Sequence, residues 1–169
     1  MKLSNVLKPT LPAAILGFVA LGLISTSAIA QANPATTTFG VSATVLKDCT
    51  VSATSMTFGN YTGAVNSAQS AVTVTCTNLT TYTVGLGTGL ATGATVTTRQ
   101  MQNGAALLSY GLFSNATWTT NWGNTLATNW VSGTGNGAGL AINVYGQIPA
   151  GQYVTPGSYT DNISVTVTY

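Results

Sequence analysis

From Ser70 to Thr77 the chain alternates without a break, with Val72, Val74 and Cys76 on one side and Thr73, Thr75 and Thr77 on the other. Successive side chains of an extended chain point to opposite faces, so this is the pattern of a strand with one buried face. A helix would instead repeat its apolar positions about every 3.6 residues. The same period of two returns at Tyr82, Val84 and Leu86, and at Leu108, Tyr110 and Leu112. It returns again at Leu140, Ile142, Val144, Gly146 and Ile148, and finally at Ile163, Val165, Val167 and Tyr169. Turn signals separate these runs: Asn103-Gly104, Pro149, Pro156-Gly157, and glycine-dense stretches over 85–93 and 133–139. Thr and Val, which favour strands, are abundant, and no long segment has helical spacing. The pattern predicts an all-β protein, best matched by an immunoglobulin-like Greek-key sandwich, with a small closed barrel or jelly roll as the alternative. No repeat recurs at a fixed period, which argues against a solenoid or propeller.

The first thirty residues belong to a different problem. Lys2 and Lys8 precede an apolar run from Leu11 to Ile24, followed by Ala28-Ile29-Ala30. Basic region, apolar region and an A-x-A site predict a secretory signal peptide over residues 1–30, cleaved before Gln31. The run is short for a bilayer span and is diluted by Gly17, Gly22 and Ser25, so no membrane insertion is expected after cleavage. The remaining 169 − 30 = 139 residues are enough for one domain. Beyond residue 30 the only formally charged side chains are Lys47, Asp48, Arg99 and Asp161, a net charge of zero. Nucleic acid, which requires several phosphate-neutralising cations, is excluded as a partner, and low net charge favours self-association. Two cysteines in an exported chain predict a disulfide, Cys49–Cys76. Closing its loop of 76 − 49 = 27 residues stabilises the fold by about 3–4 kcal/mol in the chain-entropy account.

Catalytic chemistry has little to work with. The chain contains no histidine and no glutamate, which removes the commonest general bases and metal ligands. Asp48 stands beside Lys47, and Asp161 shares a strand face with Ile163, where it reads as an aspartate bonding to turn backbone. Cys49 lacks a base, and the glycine-rich runs lack the lysine of a phosphate-binding loop. No enzyme, metal or cofactor is expected. Trp118, Trp122 and Trp130 could form a platform for sugar, but a core-plugging role accounts for them more simply. Sequons at Asn60, Asn78, Asn115 and Asn162 are what a chain rich in Asn, Ser and Thr produces by chance.

One alternating segment has no obvious home. In Thr36–Leu46, residues Phe39, Val41, Ala43 and Val45 fall on one face and Gly40, Ser42 and Thr44 on the other. It could be the first strand of its own domain, a linker, or a strand belonging to another molecule's sheet. The last run, Ile163, Val165, Val167 and Tyr169, has no following strand in the sequence to pair with, which suggests an exposed apolar groove and an unprotected edge.

Taken together, several motifs in order resemble the spore-coat-U-like pilins of archaic chaperone–usher pili. They are Cys49-Thr50-Val51, Val72-Thr73-Val74-Thr75-Cys76, Tyr82-Thr83-Val84-Gly85-Leu86, Met101 with Asn103-Gly104 and Leu108-Ser109-Tyr110, and Asn121-Trp122-Gly123. The most specific are Val144-Tyr145-Gly146-Gln147-Ile148-Pro149-Ala150-Gly151-Gln152, Pro156-Gly157-Ser158-Tyr159-Thr160-Asp161, and Val165-Thr166-Val167-Thr168-Tyr169. The resemblance implies an incomplete immunoglobulin-like sandwich lacking its last strand over residues 48–169, preceded by a donor-strand segment over 31–47. It implies a periplasmic chaperone, an outer-membrane usher and neighbouring pilin subunits as partners, and a cell-surface fimbrium reached through the periplasm. It also implies that Phe39, Val41, Ala43 and Val45 plug a groove whose free edge carries Ile163, Val165, Val167 and Tyr169. Burying Phe39, Val41 and Val45 is worth roughly 4–9 kcal/mol before ordering costs. A tip adhesin or a secreted coat or matrix protein is the alternative.

Overall fold

Among the described residues eight strands form, five of them on the apolar alternations read from the sequence, while the alternating segment over 36–46 forms none. The computed structural model describes residues 33–125 and 128–169, and the expected signal peptide over 1–30 lies outside the described residues. The strands are β1 (Cys49–Ala53), β2 (Asn66–Cys76), β3 (Thr81–Leu86), β4 (Arg99–Asn103), β5 (Ala106–Phe113), β6 (Val131–Thr134), β7 (Gly139–Ile148) and β8 (Val165–Thr168). They assemble into a five-stranded sheet of order β1-β2-β7-β5-β4 and a three-stranded sheet of order β6-β3-β8, with every ladder antiparallel. The order is non-sequential, as in a Greek-key sandwich.

The core is the set of inward positions that alternation selects. Val72, Val74 and Cys76 of β2, Leu108, Tyr110 and Leu112 of β5, and Val144 and Ile148 of β7 face Tyr82, Val84 and Leu86 of β3. Trp122 joins them at 0% exposure, and its Nε1–H donates to the Val84 carbonyl at 2.9 Å. Its backbone N–H donates to Leu112 O of the larger sheet, while Gly123 O accepts from Leu86 N of the smaller one, so this short segment ties the two layers together. The other two tryptophans do not share that role: Trp118 is exposed and Trp130 is only half-buried.

Turn chemistry agrees with the reading from sequence. The β4–β5 hairpin closes over a two-residue loop that begins with Gly104 at φ 58°, a conformation a side chain would disfavour. β7 stops at Ile148, immediately before Pro149, which has no N–H to continue the ladder. Cys49 and Cys76 stand directly opposite each other in the β1–β2 ladder and are joined, with Cα atoms 4.1 Å apart. The bond fixes the edge strand β1 to the rest of the sheet.

Two compact units divide the chain, residues 1–42 and 43–169. In the first, residues 33–42 carry no ladder and are exposed. In the second, residues 43–48 are likewise outside any strand, and all eight strands follow.

Replacing both Cys49 and Cys76 with alanine is expected to lower unfolding stability by about 3 kcal/mol, seen as a reduced midpoint in urea denaturation. An unchanged midpoint would show that the bond does not constrain the unfolded chain.

Candidate functional site

β8 is paired along one edge and bare along the other. Thr83, Val84, Gly85 and Leu86 of β3 face Thr168, Val167, Thr166 and Val165 in turn, and Gly87 N–H extends the ladder to Ser164 O at 2.9 Å. On its far side β8 has no strand partner among the described residues. Such an edge presents a row of backbone donors and acceptors ready for another strand.

Beside that edge the sandwich is open. A groove of about 1290 Å³ is lined by residues 53–63, which follow β1, and by residues 152–163 with Val165, which lead into β8. Its apolar lining includes core residues from the larger sheet, among them Val72, Leu108, Tyr110, Leu112, Val144 and Ile148. The hydrophobic core of the domain is therefore reached from outside through this groove.

The wall over 54–63 has little ladder structure and is held by other means. Thr54 closes the β1–β2 ladder with its N–H on Ala71 O at 3.0 Å, and its own carbonyl accepts from the Ser70 hydroxyl. Beyond it, Asn66 Nδ2 donates to Phe58 O at 2.9 Å and Asn60 O at 3.1 Å. Met56 and Phe58 point inward and cover Gly146 of β7, where a Cβ would collide with both. Phe58 meets Tyr110 edge-on with ring centroids 6.1 Å apart. Tyr61 O–H donates to Pro149 O at 2.7 Å and accepts from Gln152 N–H at 3.2 Å.

The opposite wall is anchored by side chains that imitate strand pairing. Gln152 accepts from Ser109 N–H through Oε1 at 2.8 Å and donates through Nε2 to Ser109 O at 2.9 Å, as a neighbouring strand residue would. Thr160 exchanges two backbone bonds with Gln102 of β4, so the chain pairs with the larger sheet just before it joins the smaller one as β8. Tyr159 O–H donates to Thr155 O at 2.7 Å, which resembles a tyrosine corner.

Tyr110 and Asp161 line the groove, and with Arg99 they form a cluster of charged and ionisable groups. Arg99 is fully buried, and its guanidinium donates to four carbonyls: Gly87 O at 2.8 Å, Val96 O at 2.7 Å, Leu86 O at 2.9 Å and Trp122 O at 2.7 Å. Desolvation lowers its pKa to about 10, partly offset by attraction to Tyr110 and Asp161, so it remains protonated at neutral pH. Tyr110 is raised by burial and by its bond to the Asp161 carboxylate, so it remains a neutral donor. That bond runs from Tyr110 O–H to Asp161 Oδ2 at 2.6 Å, while Oδ1 accepts from the N–H groups of Leu90 and Asn162, both at 2.8 Å. Asp161 thus bonds to turn backbone as its position in the sequence suggested, with the Tyr110 contact in addition.

The sequence-predicted edge residues separate into three groups. Ile163 and Val165 line the groove. Val167 is half-buried against the core beyond it. Tyr169 departs from the alternation: it is 52% exposed and lines a separate shallow cleft with Trp130, Thr81 and Thr134. In the segment over 39–45, Phe39, Val41 and Val45 are 87%, 84% and 85% exposed, and Ala43 is exposed as well. Reasoning from sequence missed Met56, Phe58, Gln152 and Arg99. Met56-Thr57-Phe58 does alternate, but over too few residues to announce a wall.

Every hydrogen bond of the cluster holds a backbone group or a side chain of the domain in place. Among the described residues no three His, Cys, Asp or Glu side chains gather where they could hold a metal ion. Replacing Arg99 with Met is expected to strand three buried carbonyls and a part-buried fourth and to destabilise the domain by about 3 kcal/mol or more, measured by chemical denaturation. A loss below about 1 kcal/mol would mean that water replaces the guanidinium.

Comparison with known proteins gives one consistent answer. The profile of the Spore Coat Protein U domain matches residues 35–166. Protein U of Myxococcus xanthus is 38% identical over 128 residues, covering 68% of this chain and 71% of that protein. Among solved structures, the chaperone–tip adhesion subunit pre-assembly complex CsuC–CsuE, from the archaic chaperone–usher Csu pili of Acinetobacter baumannii, contains a chain that aligns with a TM-score of 0.54 at 27% identity. The alignment covers 75% of this chain and 40% of that one, so this chain spans less than half the length of its structural relative.

Proposed function

We propose that this chain, which belongs to the spore coat protein U domain family and has the fold of a chaperone–usher pilus subunit, is a structural pilin that polymerises by exchanging strands between copies. It is a structural protein and not an enzyme. The observation that carries the reading is the pairing of a bare β8 edge with a groove that opens onto the core. A strand laid there satisfies the backbone of β8 and buries apolar area at once, which is recognition by strand addition.

Residues 31–47 supply such a strand and residues 48–169 receive it. Phe39, Val41, Ala43 and Val45 have the period of two that a groove beside a strand demands, and their side chains are exposed. Ile163, Val165, Val167 and Tyr169 mark the receiving edge. A periplasmic chaperone, the kind of partner in the Csu complex, would cover the groove before assembly, and an outer-membrane usher would catalyse the exchange. The product is a surface fimbrium supporting adhesion and biofilm growth. A polymerising subunit is favoured over a tip adhesin by the Phe39–Val45 segment itself, because a subunit at the tip has no need of a donor.

Val41→Asp is expected to abolish polymer while leaving a folded, chaperone-bound subunit, because an uncompensated carboxylate in the groove costs several kcal/mol. Assembly is read by electron microscopy of fibres and by the ladder of heat-sensitive oligomers on gels. Fibres of normal length from this variant would end the donor assignment.

A further inference from the structure

The proposed polymer leaves one quantity open, the register of the incoming strand, and two charged residues define it. The inward strip leading into and along β8 is Asp161, Ile163, Val165 and Val167, each half-buried and alternating with exposed Asn162, Ser164 and Thr166. The strip on the N-terminal segment is Phe39, Val41, Ala43 and Val45, and the next residue on the same face is Lys47. Each strip ends in a single charge, and the two charges have opposite sign.

We infer that Lys47 of a neighbouring copy reaches Asp161 at the end of the groove and thereby sets the register of strand exchange; this rests on the strand-exchange reading above. Every ladder in the domain is antiparallel, and an added antiparallel strand continues that arrangement. In an antiparallel alignment with Lys47 beside Asp161, Val45 falls beside Ile163, Ala43 beside Val165 and Val41 beside Val167. Phe39 then lies level with Tyr169 at the open end. The two stretches match in length, since 47 − 39 and 169 − 161 are both 8 steps.

Neighbouring registers are worse for identifiable reasons. A slip of one residue turns the whole apolar strip away from the groove. A slip of two in one direction sets Lys47 beside Ile163, and in the other sets Val45 against the Asp161 carboxylate. A parallel strand over the same stretch would set Phe39 against the Asp161 carboxylate and carry Lys47 to Tyr169 at the opposite end.

Asp161 is equipped to receive a cation. Asp161 lines the groove, and its three present donors, Leu90 N–H, Asn162 N–H and Tyr110 O–H, leave one of the roughly four acceptor sites of a carboxylate open. Those bonds also hold the carboxylate still. Lys47 is exposed, and its flexible stem can lie along the groove while the ammonium stays near water.

Cysteine pairs on fibres assembled from the full chain test the alignment, with cross-linked peptides identified by mass spectrometry. Facing residues in an antiparallel ladder lie within disulfide range, whereas positions two residues apart do not. Val45→Cys with Ile163→Cys is expected to link neighbouring subunits covalently, and Val45→Cys with Val165→Cys is not. The reverse result overturns the register while leaving strand exchange intact, whereas fibres unaffected by Val41→Asp would remove the underlying reading as well. Lys47→Glu provides a test that leaves the groove residues untouched. Its fibres are expected to dissociate about two- to fivefold faster at low salt, with the difference shrinking at high salt. Equal dissociation rates at low salt would overturn the role of Lys47.

Discussion

The constraint on which the rest of the domain depends is a strand, β8, that is paired along one side only among the described residues. β8 satisfies half of its backbone through β3 and leaves the rest facing a groove that reaches the core. Unpaired backbone and exposed apolar surface are two separate costs of folding, and a strand with alternating apolar residues removes both in one step. A spherical ligand could fill the volume without pairing the edge, and a polar strand could pair the edge without filling the volume. An extended amphipathic segment would do both, which is why strand exchange is the reading proposed for this groove.

A groove of this kind must stay open while remaining folded, and the polar cluster beside it accounts for how. The Arg99 guanidinium gathers carbonyls from the end of β3, from Val96 and from the Trp122 segment, replacing ladder bonds that those irregular stretches cannot make. Asp161, tied to Tyr110 and Leu90, fixes the approach to β8. Gln152 pins the other approach to Ser109. Met56 and Phe58, seated over Gly146, cover part of the core from the opposite wall. The walls are thus made mostly from side-chain bonds and packing, and the edge of β8 itself is left free.

Membership of the spore coat protein U domain family and the likeness to a chaperone–usher pilus structure place this groove in a context where strand addition is the proposed means of assembly. The low charge of the chain beyond residue 30 fits that context. With only Lys47, Asp48, Arg99 and Asp161 to work with, electrostatics cannot steer assembly broadly, but a single pair can still decide between registers that are otherwise apolar and alike.

Much of this is legible in the sequence because a strand with one buried face writes its orientation into every second residue. Alternation alone marks Val72, Val74, Tyr82, Val84, Leu108, Leu112, Val144 and Ile148 as core, and the cysteine count alone joins Cys49 to Cys76. The amphipathic segment around Val41 is readable for the same reason, although its destination is not. What only the tertiary structure decided is everything that depends on residues distant in the chain meeting in space. Arg99 is one stray charge in the sequence, and its role exists only because four carbonyls converge on it. Composition and spacing give the same core-plugging expectation for Trp118, Trp122 and Trp130, and only the fold shows that Trp122 bridges the two sheets while Trp118 lies at the surface. Tyr169 keeps the period but not the burial, since alternation fixes which way a side chain points only while the strand is held on its ladder, and β8 ends at Thr168.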